Sequence, residues 1–153
     1  MITGEIGQFL NESKIPLRLS CVTESGWPTV LSLWYVYLDD GKLHLATPQT
    51  AKVVQYLRNE PRCAFEIASD TPPYCGIRGQ AKATINEARG DEILELLLKR
   101  YLRSLDTPLA KKLQNRSVTE VSIELTPINL FSWNFEDRMK DSVVGRPHLC
   151  PGS

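Results

Sequence analysis

The sequence lacks the features that mark a protein for a membrane or for nucleic acid. No apolar run approaches the roughly 20 residues that a membrane-spanning helix needs, and nothing after Met1 resembles a signal peptide. Acidic and basic residues number 18 each and are dispersed, so no basic face favours DNA, RNA or anionic lipid. These absences predict a cytoplasmic protein whose partners include neither a membrane nor a nucleic acid.

Common catalytic and metal-binding motifs are also missing. The chain has two histidines, His44 and His148, and neither belongs to a recognisable Ser-His-acid or metal-ligand arrangement. His44 alternates with Leu43 and Leu45, so we expect it on the opposite face of a strand. No G-x-G-x-x-G or P-loop pattern occurs. We therefore predict no catalytic side chain and no metal ligand.

The cysteines do not form a recognisable framework. Four are present, they are far apart in the sequence, and none belongs to a C-x-x-C pair. Three of them, Cys21, Cys63 and Cys75, fall in predicted strands, whereas Cys150 lies near the C-terminus and is the one we expect to be exposed. This distribution favours buried free thiols over metal ligands or disulfides.

Length and composition fit one domain. A chain of 153 residues that is 42% hydrophobic can bury about 70% of the surface that it exposes when unfolded. We assign residues 1–140 to a single domain. Residues 141–153 contain two glycines and two prolines and are predicted to form a flexible C-terminal tail.

What the chain does contain is a series of short strands. Seven runs are rich in β-branched and aromatic residues, and most of them alternate between apolar and polar positions. They are PLRLSCV, PTVLSLWYVYL, KLHLAT, RCAFEIAS, CGIRGQAKATI, SVTEVSIELTP and NLFSWNF. Helical patterns occur in TGEIGQFLNESK, AKVVQYLRN, residues 86–105 and TPLAKKLQ. Six or seven antiparallel strands with few helices are most economically closed into a barrel, because closure removes exposed edges.

A helix start predicts an anion site. The turn at residues 39–41 makes the second and third strands antiparallel neighbours, and Thr50 stands where an N-cap belongs, which places Lys52 in the first helical turn. A helix N-terminus has unpaired NH groups and partial positive charge, so a lysine there is unfavourable by about 0.3–1 kcal/mol unless an anion joins it. A phosphate would accept hydrogen bonds from these NH groups, from the hydroxyls of Thr47 and Thr50, and from the Lys52 ammonium. An ordinary solvated lysine is the alternative.

Two tryptophans complete the candidate site. Trp34 lies in the second strand and Trp133 in the last, and each either fills the core or lines a ligand site. Gly76 and Gly79 leave bare backbone in the fifth strand, where a planar ligand or another chain can come close, or where the strand bulges.

The order of these elements resembles the pyridoxamine 5′-phosphate oxidase-like family of flavin-binding split barrels. The similarity runs from about Pro16 to Trp133, and it is carried by RLSCV, GWP, VLSLWYV, the passage from HLAT to TAK, LRNEPRCAFEI, IRGQA and TPINLFSW. The resemblance implies a mainly β fold, a six-stranded antiparallel split β-barrel with peripheral helices. It also implies a homodimer with two flavin sites at the subunit interface.

The resemblance assigns roles to particular residues. The backbone of residues 31–34 would run beside the isoalloxazine ring, three residues at the helix start would hold the phosphate of FMN, and a tryptophan of the opposite protomer would close the site. Arg18 and Arg78 are weaker candidates near the cofactor. The cofactor-contacting residues so implied are Leu31, Ser32, Leu33, Trp34, Thr47, Thr50, Lys52, Arg78 and Trp133.

The implied activity is hydride or electron transfer to a small molecule through flavin N5, with the tryptophans shaping the substrate face. Three departures from the authentic oxidase argue against vitamin B6 oxidation. The second strand opens without an arginine, Ala51 precedes Lys52 where an arginine is expected, and NFEDRMKD follows Trp133 in place of an arginine- and histidine-bearing motif. The alternatives are an F420-dependent reductase, a non-catalytic module that holds flavin or haem, and a dimeric interaction unit with an empty site.

Overall fold

An antiparallel sheet forms the body of the protein in the computed structural model, which describes residues 4–115, 117–139 and 150–151. The seven strands in this part of the chain are β1 Leu17–Val22, β2 Pro28–Leu33, β3 Val36–Tyr37, β4 Leu43–Pro48, β5 Arg62–Ala68, β6 Cys75–Asn86 and β7 Glu120–Asn134. The helices are α1 Gly4–Glu12, α2 Lys52–Asn59, α3 Gly90–Tyr101 and α4 Pro108–Gln114, with short 3₁₀ turns at Glu87–Arg89 and Glu136–Met139. Apart from Cys150 and Pro151, the predicted tail lies outside these residues.

The strand order closes the sheet on itself. The order is β2, β1, β5, β6, β7, β4, β3, and every neighbouring pair whose register is defined is antiparallel. The two edge strands β2 and β3 are consecutive in the chain and only Trp34 and Tyr35 separate them, so the sheet curls until its edges meet. The predicted mainly β, antiparallel split barrel is confirmed.

The described residues form seven strands rather than the six that the resemblance implies, because one predicted strand is divided in two. The run from residue 28 to 38, predicted as one strand, divides at Trp34 and Tyr35. Tyr35 is fully buried, its hydroxyl donates to the Leu10 carbonyl oxygen at 2.9 Å, and its backbone NH donates to the Tyr101 hydroxyl at 3.4 Å. These contacts replace strand pairing at that point. Conversely, the two runs at the C-terminal end form one strand, β7.

A β-bulge keeps β7 continuous. The register of β6 against β7 shifts between Gln80 and Ala81, which pair with Asn129 and Pro127. Ile128 is therefore the extra residue, and 68% of its side chain is exposed. The bulge accommodates Pro127, which has no backbone NH to donate to the neighbouring strand. Because of this proline, the sequence pattern predicted that one strand ends there.

The core lies inside the curled sheet, and α2 packs against β1 and β6 at its margin. The inward positions of β1, β4, β5 and β7 are aliphatic or aromatic, and α2 adds Val53, Val54 and Leu57. On the outside, α3 covers β4 and β7. Arg100 of α3 donates to the carbonyl oxygens of Leu10 and Asn11 at 2.7 and 2.6 Å, which fixes the C-terminal end of α1.

The cysteine prediction is half right. Cys21 and Cys63 are free and buried, and burial raises the pKa of the Cys63 thiol to about 12, so it stays protonated at neutral pH. Cys75 and Cys150 instead form a disulfide, and Cys150 is buried. A sequence separation of 75 residues conceals this proximity, since only the fold brings the start of β6 to the C-terminal end. Stable disulfides are rare in reducing compartments, so the bond weighs against the expected cytoplasm.

Candidate functional site

A split opens where β2 and β4 diverge. In the β3–β4 pair, Val36 lies opposite His44 and Tyr37 opposite Leu43. The same register continued would set Leu33 opposite Thr47, but β2 pairs with β1 instead. Among the described residues, β2 therefore has one neighbouring strand, and β4 beyond His44 pairs with β7 alone. Two edges with unpaired backbone NH and C=O groups thus diverge from Trp34.

The residues predicted beside the flavin ring lie along the β2 edge. Leu31 and Leu33 are half-buried and pack against the core, whereas the Ser32 side chain is exposed. The side chains at 31 and 33 are thus occupied by packing. What remains available to a ligand along this edge is the unpaired backbone, as the resemblance implies.

The residues predicted at the phosphate lie at the end of β4 and the start of α2. Thr47 is buried opposite Val121, whereas Thr50 and Lys52 are exposed. Thr50 is not the N-cap, so that prediction is wrong: the NH of Ala51 donates to the Pro48 carbonyl oxygen at 2.9 Å, and this turn moves the cap to Ala51. An alanine cannot cap with its side chain, so the first NH groups of α2 lack a side-chain acceptor, and Lys52 is the first helical residue.

Trp34 is held by a residue that the sequence analysis missed. Its ring stacks on Tyr101 of α3, with 4.9 Å between the ring centroids and 4° between the ring planes. One face of the indole is therefore covered within the protomer. Tyr101 belongs to an apolar stripe from Ile93 to Leu102 that is typical of a helix packed on a core, and the stripe gives no signal that this ring stacks on Trp34.

Trp133 lies far from the split within one protomer. It pairs with Gly76 near the end of β7, and its ring lies 5.1 Å from that of Phe135. Three strands separate β7 from β2, a distance of about 19 Å along the sheet at the usual strand spacing. The indole Nε1 is buried and has no hydrogen-bond partner among the residues that the structure describes. One protomer does not bring Trp133 to residues 31–34.

Arg78 lies on the outer face of the sheet in a row that crosses five strands. The row consists of Ser32 on β2, Arg18 on β1, Glu66 on β5, Arg78 on β6 and Phe131 on β7, each directly opposite the next. Four of the five, all except Ser32, line a groove of about 620 Å³. We call it the outer groove.

A buried charged cluster lies under α3, away from the split. His44 falls on the face opposite Leu43 and Leu45, as predicted, yet it is fully buried; its Nε2 lies 2.9 Å from Asp40. Its strand neighbour Glu124 accepts hydrogen bonds from Lys42 at 3.1 Å and Asn86 at 2.9 Å. Burial by itself would raise the pKa of the Glu124 carboxyl, but these hydrogen bonds outweigh burial and hold the pKa below its usual value.

The Glu124 contacts predict a pH-dependent stability. The pKa of Glu124 is lower in the folded state than in the unfolded state. The ionised carboxylate therefore contributes fully to the free energy of unfolding above the unfolded pKa of about 4.3, and this contribution is lost as the pH falls through the folded pKa. Glu124→Gln is expected to lower the free energy of unfolding by about 2 kcal/mol at pH 7 and by much less at pH 3. Urea unfolding at both values measures this, with Glu95→Gln, an exposed residue of α3, as the control. Equal losses at the two pH values would contradict the assignment.

The described residues contain neither a candidate metal-ligand cluster nor a candidate membrane-spanning helix. No group of three or more histidine, cysteine or acidic side chains in this part of the chain could hold a metal ion. None of the described helices combines the length and apolar character that crossing a membrane requires.

Comparison with known proteins establishes the fold. No family model matches the sequence, and no curated protein does either. Solved structures do match: a conserved hypothetical protein from Mycobacterium tuberculosis has a TM-score of 0.73 and 22% identity over 100% of this chain and 93% of the other. An F420 reductase has a TM-score of 0.65 and 20% identity over 81% and 94%. The haem storage protein HutZ from Vibrio cholerae has a TM-score of 0.65 and 17% identity over 85% and 93%.

At these identities the shared feature is the fold. The strand order, the split and the structural matches together define a split barrel of the pyridoxamine 5′-phosphate oxidase-like type. Among the matches are proteins whose names refer to F420 and to haem, so the fold alone does not select a ligand.

Proposed function

We propose that this protein is a homodimeric oxidoreductase that binds FMN in the split between β2 and β4. The observation that carries the proposal is the start of α2, where the first NH groups have no side-chain cap and Lys52 adds a positive charge. An FMN phosphate there would let the attached ring system extend across the split toward the unpaired edge of β2. The chain thus offers an anion site at the start of α2 and a polar strand edge on β2.

In this proposal the protein binds and orients the flavin, and the flavin, when bound, supplies hydride or electron transfer. The NH groups of α2, the Thr50 hydroxyl and the Lys52 ammonium hold the phosphate. The backbone of residues 31–33 donates to and accepts from the polar edge of the ring. Trp34, fixed by its stacking on Tyr101, excludes water from one end of the split. No acid or base is required from the chain.

The dimer is supported by an exposed apolar surface on the outer face. Trp27, Val30, Ile128 and Phe131 expose 74%, 66%, 68% and 58% of their side chains. Val30 and Phe131 lie on the outer face of the sheet, Trp27 lies in the turn before β2 and Ile128 at the bulge of β7. Exposed apolar groups in this number indicate a protein interface. A second copy on this face would cover them, and it would also bring a Trp133 to the split that the protomer's own Trp133 does not reach. The test is the size of the protein in solution, for which Ile128→Glu is expected to give monomers.

The phosphate site predicts a specific loss of affinity. Lys52→Ala is expected to weaken FMN binding by about 10- to 100-fold, because a charge-assisted hydrogen bond contributes about 1.5–3 kcal/mol. Fluorescence titration of purified protein measures the affinity. Riboflavin, which has the same ring without the phosphate, serves as a second ligand, and its weaker binding should not change. Lys112→Ala, an exposed lysine of α4, is the matched control. Unchanged FMN affinity in Lys52→Ala would refute the site.

F420 is a second candidate for the same split, because one matching structure is that of an F420 reductase. Its deazaflavin ring and its phosphate-bearing side chain present the same two features to β2 and α2. A parallel titration with F420 separates the two cofactors. The structure offers less support for haem, since His44, the one histidine in the described part, is buried beneath α3 with its Nε2 beside Asp40.

A further inference from the structure

Two free cysteines on neighbouring strands face the same part of the core. Cys21 of β1 and Cys63 of β5 belong to one core cluster, and they are 1% and 8% exposed. The pairing of β1 with β5 places Ser20 opposite Ala64, so these cysteines occupy the next positions along the two strands. The sequence analysis predicted no metal ligand because the cysteines are far apart in the chain, but the strand register brings these two together.

The two strands stop pairing at this point. The β1–β5 ladder ends at Ser20 and Ala64, although β1 continues to Val22 and β5 begins at Arg62. A cavity of about 330 Å³ lies there, and both cysteines line it. Opposite Cβ atoms on paired strands are about 4.5–5.5 Å apart, whereas a disulfide needs about 3.8 Å, and the spacing is no shorter beyond the end of a ladder. The two thiols are therefore neighbours that the backbone holds too far apart for a direct bond.

We infer that Cys21 and Cys63 bind one soft monovalent metal ion of the Cu⁺ class, held in linear coordination between their two sulfur atoms. A linear S–Cu–S unit spans about 4.6 Å, twice a metal–thiolate bond of about 2.3 Å, and thiols at opposite positions of adjacent strands can reach this span. Thiolate ligands select Cu⁺, whereas Zn²⁺ in a structural site requires four ligands. The described residues offer no cluster of three or more histidine, cysteine or acidic ligands, so this pair suits an ion that accepts two.

Binding exchanges protons for the metal ion. Each thiol loses its proton to solvent, one Cu⁺ takes the place of the two protons, and no electron is transferred. Burial raises the pKa of both thiols, that of Cys63 to about 12, so the exchange costs more than it would at an exposed pair. The Cys63 thiol also gives up its hydrogen bond to the Ala81 carbonyl oxygen, which has a length of 3.4 Å. These costs confine binding to ions with a strong preference for sulfur.

The dithiol site is separate from the split, and it does not rest on the proposed function. Ile128 also lines the cavity, and it belongs to the surface that the proposed second copy covers. The two cysteines instead face the protomer's own core, so a bare ion can occupy the site in a monomer or in a dimer. An organic ligand would need the part of the cavity that Ile128 borders.

The test is an anaerobic competition for Cu⁺ between the full chain and bicinchoninate, whose Cu⁺ complex is coloured. We expect the transfer of one Cu⁺ per chain. Cys21→Ala and Cys63→Ala should each bind Cu⁺ at least about 100-fold more weakly, because a single thiolate remains. Ser20→Ala is the matched control: Ser20 lines the same cavity and carries no sulfur, so this variant should bind like the wild type. Thermal unfolding of each variant, and a thiol count after denaturation, verify that the protein is folded and that the Cys75–Cys150 disulfide is intact.

Any of four results would overturn the inference. The first is no transfer of Cu⁺ from the chelate, and the second is undiminished affinity in either cysteine variant. The third is equal affinity of the folded and the urea-unfolded wild type, which would show that two thiols bind Cu⁺ without the fold. The fourth is tight binding of Zn²⁺ that depends on both cysteines, because Zn²⁺ would require further ligands and a different site.

Discussion

Replacing Cys150 with serine is expected to lower the free energy of unfolding by about 4 kcal/mol. The Cys75–Cys150 disulfide closes a loop with a sequence separation of 75 residues, and loops of that length lose several kcal/mol of chain entropy in the unfolded state when they are cross-linked. For a protein of this size, such a loss is a large fraction of the total stability. Urea unfolding of the wild type and the variant measures it.

Reduction provides an independent check of the same bond. Wild-type protein in excess reductant should unfold like the Cys150→Ser variant, and reductant should have no further effect on that variant. Thiol titration of the denatured wild type should find two free thiols without reductant and four with it. Four thiols without reductant would show that the bond does not form.

Gly90→Ala is expected to destabilise the protein by about 3 kcal/mol, which corresponds to a melting temperature lower by about 6–12 °C. Gly90 begins α3, where the helix contacts the start of β7. A Cβ at this position would overlap the oxygen and carbon of the Glu120 carbonyl group and lie 2.6 Å from the Val121 nitrogen. All three are backbone atoms, so relief requires moving either the helix or the strand.

The control for this prediction is Gly4→Ala in α1. None of the described atoms would lie within 4 Å of a Cβ at Gly4, and alanine has the higher helix propensity, so this variant should be as stable as the wild type or slightly more so. Melting curves of both variants by circular dichroism decide the matter. Equal melting temperatures would mean that α3 does not pack against β7 as closely as described.

The fold could be predicted from the sequence because its main determinants are local. Hydrophobic alternation identified every strand region, and Gly41, with φ of +75°, marks the hairpin turn that fixes the register of β3 against β4. The boundaries that failed were set by contacts distant in sequence. The break at Trp34 and Tyr35 depends on Leu10 and Tyr101, and neither partner can be inferred from the strand itself.

The candidate site could be predicted in outline but not in detail. The placement of Lys52 at a helix start was correct because Pro48 and the following apolar periodicity are local signals. The cap was misassigned because a turn ending at Ala51 and a threonine cap look alike in sequence. The sequence analysis named Arg18 and Arg78 as candidates, but it gave no signal of the groove that they line. Arg18, Glu66 and Arg78 lie on three different strands, and only the sheet register places them in one row.

The position of β7 also constrains how the chain folds as it is synthesised. β4 spans residues 43–48 and pairs along its full length with residues 120–125 of β7. The edge of β4 that faces β7 therefore stays unpaired until most of the protein has been made. Pairings this distant in sequence slow folding and leave strand edges open to other chains in the meantime. A nascent chain halted before residue 120 should therefore be prone to aggregate, and truncation from the C-terminal end should be tolerated far less well than truncation of α1.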